Sequence, residues 1–467
     1  MNYLTVKLNA SVVIRYKEFN VPEKVAITTD KNGLSVYSWQ VKHKTAIRNE
    51  PFSPDWHQFM TQVDVAPEKF LYDGVSGSFT NWKEMGTWIN EKLLLNRDQL
   101  PPETAAFVKD LTRDINDPKL KAKKIYEYMQ QKTHYISVQV GIGGYRPFTA
   151  ADVDHLNYGD CKALVNYTKA LLNAVDIKSW YCVVWGDRYQ KKSLFNDFAS
   201  MQGNHVILCI PFKNDTTWMD CTSQTIPFGY LGDFTDDRIV LACTPEGGKL
   251  LRTPKYTSQQ NVESRQADFV IDNNGTITGN MKTIFKGVYY EDREEVINEA
   301  DVERVKDIKR IYPINNFEVV KLAYEQDKGR EPATTENIQL NARDYASANS
   351  TSLVFMLNPA NRIVKEPARL KTRMTDVDIK RGYTQIDEVT YTLPAGYHLD
   401  TRNLDVKIEK PFGKFTATST LTGNKLIYKR DFQLNEGIYS KDTYQDVVDF
   451  YSDIIDADSY TVTLAKN

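Results

Sequence analysis

Three features of the sequence predict an α+β protein with antiparallel sheets. Residues towards both ends alternate apolar and polar side chains, the period of a strand with one buried face. Aromatic residues are plentiful, with 27 Tyr, 20 Phe and 7 Trp, and many fall in those alternating stretches, as strands favour. Between the two β-patterned ends lies a stretch with helical periodicity and helix-capping signals. A chain of 467 residues has room for two to four domains of roughly 100–200 residues each. We read three parts: a β-rich segment over 1–85, a helical and stranded core over 86–255, and a β-rich segment over 256–467.

In the first part, turns at Lys31-Asn32-Gly33 and Asp73-Gly74 punctuate the alternation, and Pro51, Pro54 and Pro67 mark looser connections. The second part predicts a short helix over 87–95 and another over 103–115. A third, over 118–131, has Asp117 as N-cap and Pro118 at the first helical position, with Leu120, Ile125, Tyr128 and Met129 as its apolar face. A strand over 135–140 leads into a Gly-rich loop, 141–147. A helix then begins at Cys161, and strands follow near 179–185, 204–210 and 216–220. In the third part, Asp272-Asn-Asn-Gly275 reads as a hairpin turn between 267–271 and 276–285. Helices are predicted over 289–311 and 441–456, the latter with Tyr444, Val447, Val448, Tyr451 and Ile455 in one stripe.

Composition narrows the function classes. Lys plus Arg is 59 and Asp plus Glu 61, a net charge of −2, which gives no footing for nucleic acid as a partner. No apolar run reaches the ~20 residues of a membrane-spanning helix. Residues 1–16 lack the basic and apolar segments of a signal peptide. They read as a strand in progress through Val12, Val13 and Ile14, so the natural chain is expected to begin earlier, with a leader. The five cysteines, 161, 182, 209, 221 and 243, show no Cys-x-x-Cys spacing. The histidines show no metal-ligand spacing either, so no metal site is predicted. The acidic runs 233–237 and 446–458 read as solvated faces. The loop over Gly141–Gly144 lacks the Gly-Lys-Ser/Thr of a phosphate cradle.

The chemistry concentrates in Tyr158-Gly-Asp-Cys-Lys-Ala163. Asp160 is an N-cap residue, which puts Cys161 in the first helical turn. Free backbone N–H groups and the positive end of the helix dipole favour a thiolate there, and can hold an oxyanion in acyl transfer. Cys161, Leu164, Val165, Thr168, Leu171, Leu172 and Val175 share one face, so the thiol heads the core-facing stripe. Downstream, two strands flank a turn over 211–215. If that hairpin is symmetric about residues 212 and 213, His205 lies opposite Asp220, close enough for the carboxylate to orient the imidazole. Cys161, His205 and Asp220 then form a Cys–His–acid set. Tyr145, Trp185 and Trp218 are candidates to line the cleft. Cys182, Cys209, Cys221 and Cys243 read as packing residues.

Gly159-Asp-Cys161, Asn204-His205-Val-Ile and Trp218-Met-Asp220 resemble the three motifs of the transglutaminase-like (papain-like) superfamily. The likeness covers 86–255. It is closer to a bacterial subgroup in which such a core lies between two β-rich domains of unknown function, which Gly143-Gly-Tyr-Arg-Pro147 and Ile226-Pro-Phe-Gly229 also resemble. The sequence departs from that subgroup at Ala163, where an acidic residue is common, and at Cys221, where Pro is common. The resemblance implies a papain-like core flanked by antiparallel β-sandwich domains, with Cys161 as nucleophile, His205 as general base and acid, and Asp220 as the group orienting His205. It also implies amide or peptide hydrolysis or acyl transfer on a protein or peptide substrate through a thioester, with no cofactor, and a periplasmic or cell-surface location. The alternative is a non-catalytic binding scaffold for a protein or glycan in the same location.

Overall fold

The computed structural model describes residues 2–72, 74–138, 144–213 and 215–467. It is 22% helix and 37% strand, in several sheets, the mixed composition of an α+β protein. The chain forms two compact units. One holds Met1–Arg48 and Asp55–Lys255, the other Asn49–Pro54 and Tyr256–Asn467.

The first unit begins with small antiparallel sheets. β1 (Asn2–Leu8), β3 (Ala26–Thr29) and β4 (Ser35–Val41) form one in the order β1-β4-β3, and β2 (Ile14–Phe19) pairs with β5 (Gln62–Pro67). β6 (Lys69–Tyr72) and β7 (Val75–Ser78) make a hairpin. The turn before β4 uses Gly33 at φ +78, where a side chain would be strained. Helix α1 (Trp82–Trp88) starts earlier than its sequence pattern implies, because the Asn81 side chain accepts the Glu84 N–H at 3.0 Å and caps it. It runs directly into a π-helical turn, Ile89–Leu94. Gly86 lies so near the last strand of the main sheet that a Cβ there would sit 2.2 Å from the Gly248 Cα.

Helices α2 (Pro102–Leu111) and α3 (Pro118–Lys132) follow. Asp117 caps α3 through the Lys119 and Leu120 N–H groups. The buried face of α3 is Ala122, Ile125, Tyr126 and Met129, whereas Leu120 is exposed. Leu120 is in the first turn, ahead of the contact with the core. Of the predicted strand over 135–140, Tyr135 lies in β8 (His134–Tyr135) and 136–138 are not strand; residues 139–143, with the start of the Gly-rich loop, lie outside the described set. Next come α4 (Ala150–Leu156), β9 (Tyr158–Gly159) and α5 (Cys161–Ala174).

The main sheet of this unit holds β10 (Trp180–Val184), β11 (His205–Phe212), β12 (Asp215–Met219), β13 (Ile239–Thr244) and β14 (Gly247–Arg252), in the order β12-β11-β10-β13-β14. Alternation divides its side chains between two clusters. Val206, Leu208 and Ile210 join the core built on α5, while Ile207 and Cys209 pack with Cys182, Trp218 and Val240. The acidic run at 233–237 is not a solvated face: Asp236 and Asp237 are buried. Asp237 accepts from Arg252 and Lys191. The fully buried Arg238 guanidinium donates to the Trp185, Asp187, Asp233 and Asp236 carbonyls. Burial of these charges is tolerated because each is paired or hydrogen-bonded.

The second unit is built on an eight-stranded sheet. Its strands are β15 (Val262–Ile271), β16 (Ile277–Lys286), β17 (Phe317–Asp327), β18 (Ala333–Ala342), β22 (Tyr383–Thr392), β24 (Asp405–Lys410), β25 (Gly413–Thr422) and β26 (Lys425–Leu434). The order is β17-β18-β16-β15-β22-β26-β25-β24, and only β15 and β22 run parallel. β19 (Ser347–Ala348), β20 (Ser352–Met356), β23 (Tyr397–Leu399) and β28 (Thr461–Lys466) form a second sheet, and β21 (Val377–Ile379) pairs with β27 (Gly437–Tyr439). The β15–β16 turn uses Gly275 at φ +82, with the Asp272 carboxylate accepting the Asn274 and Thr276 N–H groups. The helical stretch after β16 is two helices, α6 (Val288–Ile297) and α7 (Asp301–Ile311). The Asn298 side chain folds back onto the Glu294 carbonyl at 2.8 Å and ends the first. In α8 (Tyr444–Asp458) Phe450 and Ile454 are fully buried, and Tyr451 and Ile455 only partly.

Asp458, counted with the acidic run at the chain end, is also buried. It binds the Arg430 guanidinium at 2.8 Å, the Asn358 amide at 2.9 Å and the Ile363 N–H at 2.9 Å. Arg430 and Arg265 both reach Asp387. Removing one member of such a network leaves a buried charge unpaired. Asp458→Ala should therefore destabilise this unit by about 3–5 kcal/mol, read as a lower urea midpoint. The exposed neighbour substitution Asp453→Ala should stay within about 0.5 kcal/mol of the parent.

Candidate active site

Helix α5 presents Cys161 at its first position. Asp160 is in extended backbone conformation and accepts the Ala163 N–H at 3.0 Å. The same carboxylate pairs with the buried Lys162 ammonium. Gly159 is needed for close approach, since a Cβ there would stand 2.8 Å from the Ala163 Cβ. Most of α5 is buried, from Lys162 through Leu172, yet Cys161 itself is only half-buried.

His205 opens β11 opposite Val184 of β10. Its Nε2 and the Asp220 Oδ2 are 2.8 Å apart. The β11–β12 register differs from that of a symmetric hairpin about 212 and 213: Leu208 lies opposite Met219 and Phe212 opposite Asp215. The displacement is two residues, an even number, so it keeps His205 and Asp220 on one side of the sheet. They meet diagonally, with Asp220 just beyond the strand end. The second Asp220 oxygen accepts the Thr222 N–H at 2.9 Å and its hydroxyl at 2.7 Å. The Tyr126 hydroxyl donates to the Asp220 carbonyl at 2.8 Å. Asn204, next to the histidine, holds Gly186 by two hydrogen bonds, 2.6 and 3.1 Å, and so ties the start of β11 to the loop after β10.

Burial opposes a charge on His205, but Asp220 and the hydrogen-bonded Cys161 thiol outweigh it and raise the imidazolium to about 10. Burial likewise opposes the Asp220 carboxylate, yet His205 and Thr222 hold it below the usual carboxylate value. The two shifts agree on an ion pair. With Nε2 committed to Asp220, Nδ1 is the ring nitrogen left for the thiol. Burial pushes the Cys221 thiol up, and that of Cys243 to about 12. A thiol beside an imidazolium, with helix N–H groups at hand, can attack a carbonyl; the imidazolium can then protonate a leaving amine.

Cys161 and His205 border a narrow cavity of about 100 Å³, with Tyr145, Lys162, Asn204 and Trp88 also on its wall. Trp185 instead borders an adjoining cavity. Trp218 packs in the cluster with Cys182 and Cys209 and is not among the residues lining either. Lys162, Asn204 and Thr222 were missed by sequence reasoning. Thr222 carries a usable signal, a hydroxyl two residues after a strand-end Asp. Lys162 and Asn204 acquire their roles only through contacts made in three dimensions. Among the described residues no cluster of His, Cys, Asp and Glu is arranged to hold a metal ion, and no helix is long and apolar enough to cross a membrane.

Residues 351–464 match the model of DUF3858, a domain of unknown function with solved structure. The fold is similar to a crystal structure described as a "putative protease" from Parabacteroides distasonis, with TM-score 0.61, 13% sequence identity, and cover of 99% of this chain and 72% of that one. No curated protein matches the chain.

The raised His205 pKa and the lowered Asp220 pKa give the pair a defined pH window. His205 contributes stability fully below the ordinary histidine value of about 6.5 and loses it as pH rises through about 10. Asp220 contributes above its ordinary value of about 4 and loses it as pH falls. In ¹³C-histidine NMR, the His205 ring should remain in its charged form through about pH 8. In Asp220→Asn it should titrate at lower pH.

Proposed function

We propose that the chain is a cysteine-dependent acyl-transfer enzyme of transglutaminase-like, papain-like type, with Cys161, His205 and Asp220 as its triad and a protein or peptide as substrate. One observation carries the reading: a half-buried thiol at a helix N-terminus borders one cavity with a histidine whose Nε2 is held by a buried carboxylate. The sequence motifs and the likeness to a protein described as a protease support it.

In this reading the Cys161 thiolate attacks a peptide or side-chain amide carbonyl, forming a C–S bond. The Cys161 N–H helps hold the oxyanion. His205 delivers its proton to the leaving amine as the C–N bond breaks, which leaves a thioester. Water then attacks the thioester, His205 takes the water proton, and the carboxylic acid departs as the C–S bond breaks and the Cys161 thiolate re-forms beside the protonated His205. An amine in place of water would give transamidation. The likeness to a protein described as a "putative protease" favours hydrolysis. By the family resemblance, a periplasmic or cell-surface location belongs to the same proposal.

The test exploits the other four cysteines being buried, so alkylation of the folded protein reports on Cys161. Iodoacetamide should react rapidly well below pH 8, and His205→Ala should abolish that fast phase. Peptide hydrolysis, measured on casein or a peptide-amide library, should fall by about 10²–10⁴-fold in His205→Ala. Slow, ordinary thiol reactivity indifferent to His205→Ala would instead support a binding scaffold.

A further inference from the structure

Beside the Cys161 cavity, within the same unit, is a second one of about 480 Å³, inside the range of roughly 300–1,000 Å³ typical of small-ligand sites. The two share Met201 and Gln202, so they adjoin just ahead of the His205 strand. One wall of the second cavity comes from β5 and β6 and from Phe79 after β7, with Phe70 among them. The other comes from 185–202, with Trp185, Phe195 and Phe198.

Its polar groups are unequally satisfied. Gln202 accepts the Phe195 N–H and donates to the Phe198 carbonyl and the Ser200 hydroxyl. Asp64 accepts from Gln62, whose carbonyl oxygen lies 2.5 Å from His57 Nδ1. Asp55 caps the turn at 56–58. Lys192 is the exception. Its ammonium rests 3.9 Å from the centroid of the Trp185 ring, and no carboxylate among the described residues lies within 4 Å of it. Burial pulls its pKa below the ordinary lysine value, against the more distant Asp55 and Asp64. The loop bearing both residues is anchored by buried Arg238 through the Trp185 and Asp187 carbonyls, so the wall is built before any ligand arrives.

We propose that this cavity is the substrate's side-chain subsite, taking a bulky aromatic or aliphatic side chain whose neighbouring carboxylate pairs with Lys192. The aromatic walls supply the apolar contact, and Lys192 supplies an ammonium that has no carboxylate within 4 Å among the described residues. The assignment rests on the acyl-transfer reading for its meaning, but the binding itself does not require turnover.

The test uses full-length protein carrying Cys161→Ser, with saturation-transfer NMR titrations of three probes: N-acetyl-phenylalanine, its amide, and N-acetylglycine. N-acetyl-phenylalanine should bind about tenfold more tightly than either of the others, since the amide lacks the ion pair and the glycine the ring. Lys192→Met, a half-buried position away from the triad, should erase the preference for the carboxylate and keep that for the ring. Equal affinity for all three probes, no saturable binding, or binding unchanged by Lys192→Met would overturn the proposal. Since no chemistry occurs in the Cys161→Ser protein, a chain that proves inactive as a hydrolase can still pass this test, and an active one can fail it.

Discussion

The first unit depends on burying helix α5 on nearly every side while leaving its first residue within reach of a cavity. A buried helix end must satisfy its free N–H groups without water. Asp160 meets that demand by capping Ala163, and Lys162 neutralises the carboxylate that does the capping. The helix tip is thus uncrowded by net negative charge just where the Cys161 thiol emerges. The sheet, the glycine at 159 and the cleft walls are all arranged around that exposed end of an otherwise buried rod.

The same solution recurs wherever this chain buries charge. His205 and Asp220 form one buried pair, with Thr222 occupying the remaining carboxylate oxygen. Arg238 is surrounded by backbone carbonyls. In the second unit, alternation in β15 puts Glu263 and Arg265 on the same face as Ala267, Phe269 and Ile271, so the apolar core passes into an ionic network through Asp387, Arg430 and Asp458. Buried ion pairs add little net stability, because desolvation offsets the attraction. Their consequence is geometric: a charge with a single satisfactory arrangement fixes the elements that carry it.

Charge placement is also where reading the sequence misled. Runs such as 233–237 and 446–458 look solvated because acidic residues usually are. Whether a given Asp is solvated depends on an arginine far away in the chain, and no local pattern records it. The long helical stretch after β16 shows the same limit, since its interruption depends on one side chain folding back on the backbone. Trp185 and Trp218 look equally suited to a cleft by composition. One borders a cavity from the loop after β10 and the other packs in a core from within β12, a difference set by where the strands end.

By itself the sequence determined the local signals: the capped helix beginning at Cys161, the Asp117 cap, the Asp272–Gly275 turn, and the period-two strands of both ends. Each depends on residues within a few positions of one another, so each is written locally. The phase of the β11–β12 hairpin was also legible, although its register was not. A two-residue displacement leaves side-chain alternation intact, and that is why His205 and Asp220 share a side under either pairing. Only the tertiary structure decided that their contact is diagonal, that Thr222 completes the carboxylate, and that Cys161 and His205 border one cavity. The His205–Asp220 contact joins residues 15 positions apart, and the approach of Cys161 to His205 is set by how α5 packs on the sheet.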